Sequence, residues 1–106
     1  MAHKEYIRHT DGDMVVLFIH GFLGSPEHFN KFIERIPINI AIYNILLKGH
    51  GGSVKDFGAA SMSEWKSQVS AVIDMLSKRY RKIIICAHSM GTFFAMEESV
   101  KRPHLI

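Results

Sequence analysis

Apolar residues along this chain fall into two kinds of run. Met14–Ile19 and Lys82–Ala87 are short and almost continuously hydrophobic, the pattern of strands covered on both faces. Residues 38–46 form a second β-rich run between them. Elsewhere the apolar positions recur at helical spacing. Phe29, Phe32, Ile33 and Ile36 share one face of a predicted helix over 26–36, with Pro26 in its first turn. Trp65, Val69, Val72, Ile73, Leu76 and Tyr80 form a stripe along a predicted helix over 61–80, where Ser61 and Glu64 have capping-box spacing. Met90–Lys101 reads as a last helix, ended before Pro103. Residues 5–9 are a short strand candidate, and Asp11-Gly12 behind them predicts a hairpin into the next strand. Residues 20–25 and 48–58 are glycine-bearing loops.

The order is thus strand–helix repeated three times. Parallel strands joined by helices imply an α/β fold, a mostly parallel sheet with helices on both faces. Right-handed crossovers then place the strands in the order second–first–third. The run Lys82–Ala87 is apolar enough for the middle of a sheet, yet in this order it lies at an edge, where it invites pairing with a second copy or another chain.

Composition narrows the picture. At 106 residues the chain makes one domain at most. A hydrophobic content of 47% with 22% charged residues is that of a globular protein, not a disordered one. Thirteen basic and ten acidic residues give a net charge of +3. The densest basic cluster, Lys78, Arg79, Arg81 and Lys82, closes a predicted helix and reads as a solvated end favoured by the helix dipole, not as a nucleic-acid surface. Cys86 is the single cysteine, so neither an intramolecular disulfide nor a cysteine metal cluster is expected; a buried core role suits it better than a reactive thiol. The longest apolar run is far too short to span a bilayer, and residues 1–13 lack the apolar segment of a signal peptide. A cytoplasmic protein without metal or cofactor is the expectation.

The chemistry concentrates where strands end. Ala87-His88-Ser89-Met90-Gly91 stands between the third buried strand and the last helix. A turn this sharp strains the serine backbone and lifts its hydroxyl above the sheet, with small residues on either side where strand and helix pass closely. The Met90 N–H, at a helix N-terminus, is placed to donate to a developing oxyanion. His20-Gly21-Phe22-Leu23-Gly24 follows the first buried strand, so the Phe22 N–H is a second donor at the same carboxyl edge, and Gly21 allows close backbone approach. Lys48-Gly49-His50-Gly51-Gly52-Ser53 follows the second strand. A purely structural reading makes Ser89 a helix N-cap.

HGFLGS, KGHGGS, a tryptophan-bearing helix and AHSMGT, in that order and each loop after a strand, resemble the α/β-hydrolase superfamily. The spacing is most similar to carboxylesterases, monoacylglycerol lipases and serine-aminopeptidase-like hydrolases, over about residues 15–97. Alanine at position 87 stands where the usual motif has glycine. The resemblance implies Ser89 as nucleophile, Phe22 and Met90 as oxyanion donors through their backbone N–H groups, and His20, Gly21 and His88 lining the site. His20 and His50 resemble loop-holding histidines and not the general base. A small ester is the implied substrate, attacked through an acyl-enzyme.

A serine nucleophile needs a base, and the base an acid. Beyond Ser89 the only candidates are Glu97, Glu98 and His104. They have the right order, but a helix with 1.5 Å rise carries His104 roughly 20 Å away. Glu97 and Glu98 therefore read as solvated or capping charges. The expectation is that residues 1–106 form the N-terminal portion of a single α/β-hydrolase domain, weak or inactive alone. The alternatives are a non-catalytic remnant or interaction module, or the same fold acting on peptide or thioester bonds.

Overall fold

The computed structural model describes residues 4–21, 25–48 and 62–106. Four strands form one sheet: β1 (Tyr6–Arg8), β2 (Met14–Ile19), β3 (Ala41–Asn44) and β4 (Lys82–Ala87), in the order β1-β3-β2-β4. β3, β2 and β4 run parallel, with Val15 opposite Ala41 on one side and Ile83 on the other. This is the order that right-handed crossovers demand, and β4 lies at the edge.

β1 corrects the hairpin expectation. It pairs antiparallel with β3, Tyr6 opposite Asn44 and Arg8 opposite Ile42, and not with β2. Both edges of β2 are taken by the two apolar parallel strands, so the polar β1 is displaced to the outside. Side chains hold it there. The Arg8 guanidinium donates to the carbonyls of Ile40 (2.9 Å) and Pro37 (3.0 Å). The Glu5 carboxylate accepts from the Tyr43 hydroxyl (3.3 Å) and the Leu46 amide (3.0 Å). Burial and that carboxylate push the Tyr43 phenol up to about 12.

The two faces of the sheet are covered unequally. On one, helices α2 (Met62–Ser77) and α3 (Met90–Lys101) bury Trp65, Val69, Ile73, Leu76 and Phe94 against Val15, Leu17, Ile19, Tyr43 and Ile83. The predicted stripe of α2 thus forms the core; its expected Ser61 cap lies outside the described residues. On the other face Phe29 packs with Phe18 and Ile42. That face is covered by a 3-10 turn (Pro26–Phe29) running into one turn of helix α1 (Asn30–Ile33). The tighter 3-10 winding changes which side chains face inward. Phe32, expected in the buried set, is 61% exposed. Cys86 packs partly buried on this face, and burial raises its thiol pKa, as suits an unreactive core residue.

Glu98 is also corrected. It is buried, with its carboxylate 3.0 Å from the Arg102 Nε and 3.6 Å from the Lys101 Nζ. Arg102 reaches on to Asp74 (2.7 Å) and Ser70 (3.3 Å) of α2. A charge is tolerated there because the guanidinium is held from both helices. Glu97 is solvent-facing, and Lys66 and Lys101 hold its carboxyl below the usual range. After α3 the chain turns back along β4: Leu105 accepts from the Ile83 amide (2.9 Å), and His104 from the Lys82 ammonium through its carbonyl (3.1 Å). Among the described residues no helix is long and apolar enough to cross a membrane.

Candidate active site

Ser89 sits where β4 becomes α3. It is exposed, with φ 55° and ψ −121°, and is the sole non-glycine residue at positive φ among those described. Such a backbone costs of order 1–3 kcal/mol. An N-cap serine has extended dihedrals and a side chain turned onto the helix amides; Ser89 has neither, making no side-chain capping bond. The turn is closed by the backbone instead. Gly91 donates to the His88 carbonyl (3.1 Å) and Thr92 to the Ser89 carbonyl (3.0 Å). Met90, the first residue of α3, has no intrahelical acceptor for its N–H, and its side chain is buried in the core.

Two glycines are required by space and not by a left-handed backbone. A Cβ at Gly91 would come within 2.6 Å of the Ile19 carbonyl oxygen, and one at Gly21 within 2.8 Å of the Ser89 Cβ. So the loop after β2 lies directly against the serine turn. His20, fully buried at its start, donates from Nδ1 to the Gly21 carbonyl (3.0 Å), while the Leu47 amide donates to Nε2 (3.0 Å). The imidazole thereby ties the loop after β2 to the segment after β3, the loop-holding role expected of it. Phe22, the proposed second oxyanion donor, and His50 lie outside the described residues.

Several participants carried no recognisable signal in the sequence. Asn44, buried at the end of β3, donates to the Pro26 carbonyl (2.7 Å), and its Oδ1 is the buried polar side-chain atom without a partner among the described residues. Gln68 brackets the segment leading into the glycine loop, accepting from the Lys48 amide and donating to the Leu46 carbonyl, each at 2.7 Å. Trp65, placed by the sequence in the apolar stripe of its helix, also donates to the Lys48 carbonyl at 2.7 Å. His88 is exposed and faces His28 edge-on, ring centroids 5.9 Å apart. With Phe29 and Phe32 these two histidines line an open cavity of about 250 Å³.

His104 is not brought to Ser89. Its carbonyl lies beside Lys82, at the start of β4, and Ser89 follows the end of that strand. Five steps of strand separate the two ends by about 17 Å.

The profile of the family described as serine aminopeptidase, S33, matches residues 10–106. The chain belongs to this α/β-hydrolase family. It is 30% identical over 84 residues to a thermostable monoacylglycerol lipase of Bacillus sp. (strain H-257), an alignment covering 76% of this chain and 33% of the relative. Among solved structures, one described with LipS and LipT, two metagenome-derived lipolytic enzymes, superposes with a TM-score of 0.83 at 21% identity, covering 99% of this chain and 43% of that one. MenH from S. aureus superposes with a TM-score of 0.69 at 22% identity, over 99% and 39%. These structures share the fold. The S33-family chain spans about a third of the lipase and less than half of either solved chain.

Proposed function

We propose that Ser89 is the nucleophile of a carboxylic-ester hydrolase, and that this S33-family chain carries the nucleophile and oxyanion half of its site. The observation that carries the reading is the strained, exposed serine at a strand-to-helix turn, packed against a glycine of the neighbouring loop. In the proposed reaction the Ser89 Oγ attacks the acyl carbonyl. Its proton passes to a histidine outside residues 1–106, and the oxyanion is received by the Met90 and Phe22 amides. Collapse expels the alcohol, and water then releases the acid. The lipase relative supports an ester over a peptide or thioester bond. A single cysteine is consistent with a cytoplasmic setting.

Residues 1–106 are, in this proposal, the N-terminal portion of one domain. The edge of β4 beyond Ile83, whose amide the Leu105 carbonyl already takes, together with the exposed Ile84 of β4 and Phe93, Met96 and Val100 of α3, is in this proposal the surface on which the remainder packs. A fluorophosphonate probe tests the nucleophile: the completed domain forms an adduct at Ser89 that Ser89→Ala abolishes, while residues 1–106 alone react weakly. A completed domain that reacts elsewhere or not at all removes the assignment. The interaction-module reading draws on the same open edge. Size-exclusion chromatography separates the cases, since a clean monomer of residues 1–106 counts against pairing through β4.

A further inference from the structure

We propose that Asn44 is a positioning residue for the reaction at Ser89: its buried amide fixes the far end of the loop whose near end packs on that serine. The inference rests on the reading of Ser89 as nucleophile and the Phe22 amide as oxyanion donor. It adds a residue of β3 that neither touches the substrate nor serves the core.

Asn44 breaks a local rule. Side chains alternate along a strand, so Asn44 leaves the sheet on the same face as Ile42. That face is apolar, built by Phe18, Phe29 and Ile42 with Val16, Ile33 and Ile36 packed against them. Asn44 is only 1% exposed, and its Oδ1 has no partner among the described residues. Leucine branches at the same carbon and has no polar group to desolvate, whereas a buried carbonyl oxygen without a donor is costly. Such a cost at a buried position points to a functional demand. The amide's orientation is fixed as well. Its Nδ2 lies 2.7 Å from the Pro26 carbonyl oxygen, which can only accept, so turning the amide over would set two oxygens against each other.

The bond matters because of what Pro26 ends. β3 finishes beside β2, with Asn44 opposite Phe18 and the Ile45 amide donating to the Phe18 carbonyl (3.2 Å). Further along, the Leu47 amide donates to the buried His20 ring (3.0 Å). Residues 44–47 thus hold the loop after β2 at both ends, His20 through Leu47 and Pro26 through Asn44. Gly21 carries the near anchor onto the nucleophile, since a Cβ there would stand 2.8 Å from the Ser89 Cβ. Between the anchors the sequence places Phe22. A donor on a loop fixed at both ends is set before the oxyanion forms; with one end released, the loop must be ordered during the reaction.

Asn44→Leu separates positioning from packing. In the 106-residue chain, NMR relaxation is expected to show the order parameters of the Ser25 and Glu27 amides falling from about 0.85 toward about 0.6. The Tm stays within about 5 °C of the parent or rises, because losing one hydrogen bond is offset by removing the unpaired Oδ1. In the completed domain the fluorophosphonate adduct at Ser89 forms at least about tenfold more slowly, as for a weakened oxyanion donor. Ile42→Val, on the same face, does the reverse: Tm falls by about 5 °C while order parameters and adduct rate are unchanged. An Asn44→Leu protein that keeps its order parameters, or reacts at the parent's rate, overturns the proposal. So does a Tm loss beyond about 10 °C, which makes Asn44 a folding residue. A parent that forms no adduct at Ser89, while the order parameters of Asn44→Leu fall as described, overturns the esterase reading and leaves Asn44 as the anchor of the loop.

Discussion

Replacing Gly91 by alanine isolates the contact that sets the serine turn against the sheet. The new methyl group would stand 2.6 Å from the Ile19 carbonyl oxygen, 2.8 Å from the Ile19 Cγ2 and 3.0 Å from the His20 carbonyl oxygen. Two of these three atoms are backbone at the end of β2, which is paired with a strand on each side, so they do not yield. Helix α3 must retreat by roughly 1 Å to restore ordinary contact. The retreat strains the bond from the His88 amide to that same Ile19 carbonyl (3.1 Å). Overpacking costs about 1–3 kcal/mol, and the weakened hydrogen bond adds about 1 kcal/mol. The helix preference for alanine returns about 1 kcal/mol. The net expectation is a loss of about 2 kcal/mol, a fall in Tm of about 10 °C for a chain of this size, read by far-UV circular dichroism and urea titration. Gly12→Ala is the control. Its methyl group would meet Thr10 Oγ1 at 3.4 Å and the Asn39 carbonyl at 3.8 Å, ordinary contacts, so its stability stays within about 0.5 kcal/mol of the parent. A Gly91→Ala protein that melts within 2 °C (roughly 0.5 kcal/mol) of the parent, or a Gly12→Ala protein that falls equally far, refutes the close-approach argument.

Three further expectations concern strain, charge and pH. Ser89→Gly relieves the positive φ while Ser89→Ala keeps it, so the glycine variant is more stable than the alanine variant by about 1 kcal/mol in urea unfolding; equal stabilities would mean the turn stores no strain. Arg102→Met leaves the buried Glu98 with the longer ion pair to Lys101 (3.6 Å) and costs about 3 kcal/mol. Adding Glu98→Leu recovers at least half of that loss, and a double variant less stable than the single one contradicts the account. The Tyr43 phenol, held up to about 12 by burial and Glu5, keeps its proton in the folded state after an unfolded tyrosine has lost it. Its contribution is complete below about pH 10 and fades as pH rises toward 12. Absorbance near 295 nm (roughly the tyrosinate band, a consequence of phenol ionisation) follows the titration, and Glu5→Gln moves it to lower pH.

The three apolar strands, both long helices and the serine turn were legible because each follows from short-range periodicity. A doubly covered strand must be apolar throughout, and a helix on a sheet must repeat its apolar residues near every third or fourth position. The loops HGFLGS and AHSMGT could be placed at one sheet edge for a related reason: parallel strands have no other place to put them. Family membership was equally within reach of the primary structure, since it rests on those motifs and their order.

Tertiary structure decided what depends on competition for partners. Residues 11–12 have the chemistry of a hairpin turn, yet β1 crossed to β3 because both edges of β2 were already occupied by better apolar strands. Phe32 has helical spacing with Phe29, but spacing assumes 3.6 residues per turn, and a 3-10 start turned the ring outward onto the cavity rim. Glu98 looked like a surface charge until Arg102, Asp74 and Ser70 closed around it from two helices. The distance between Ser89 and His104 was bounded by helix rise, while the return of the chain along β4, which puts the His104 carbonyl beside Lys82, required the fold. Local patterns determine which elements form, because their physics is local. Which faces meet is determined only once every edge and cavity has found its cheapest occupant.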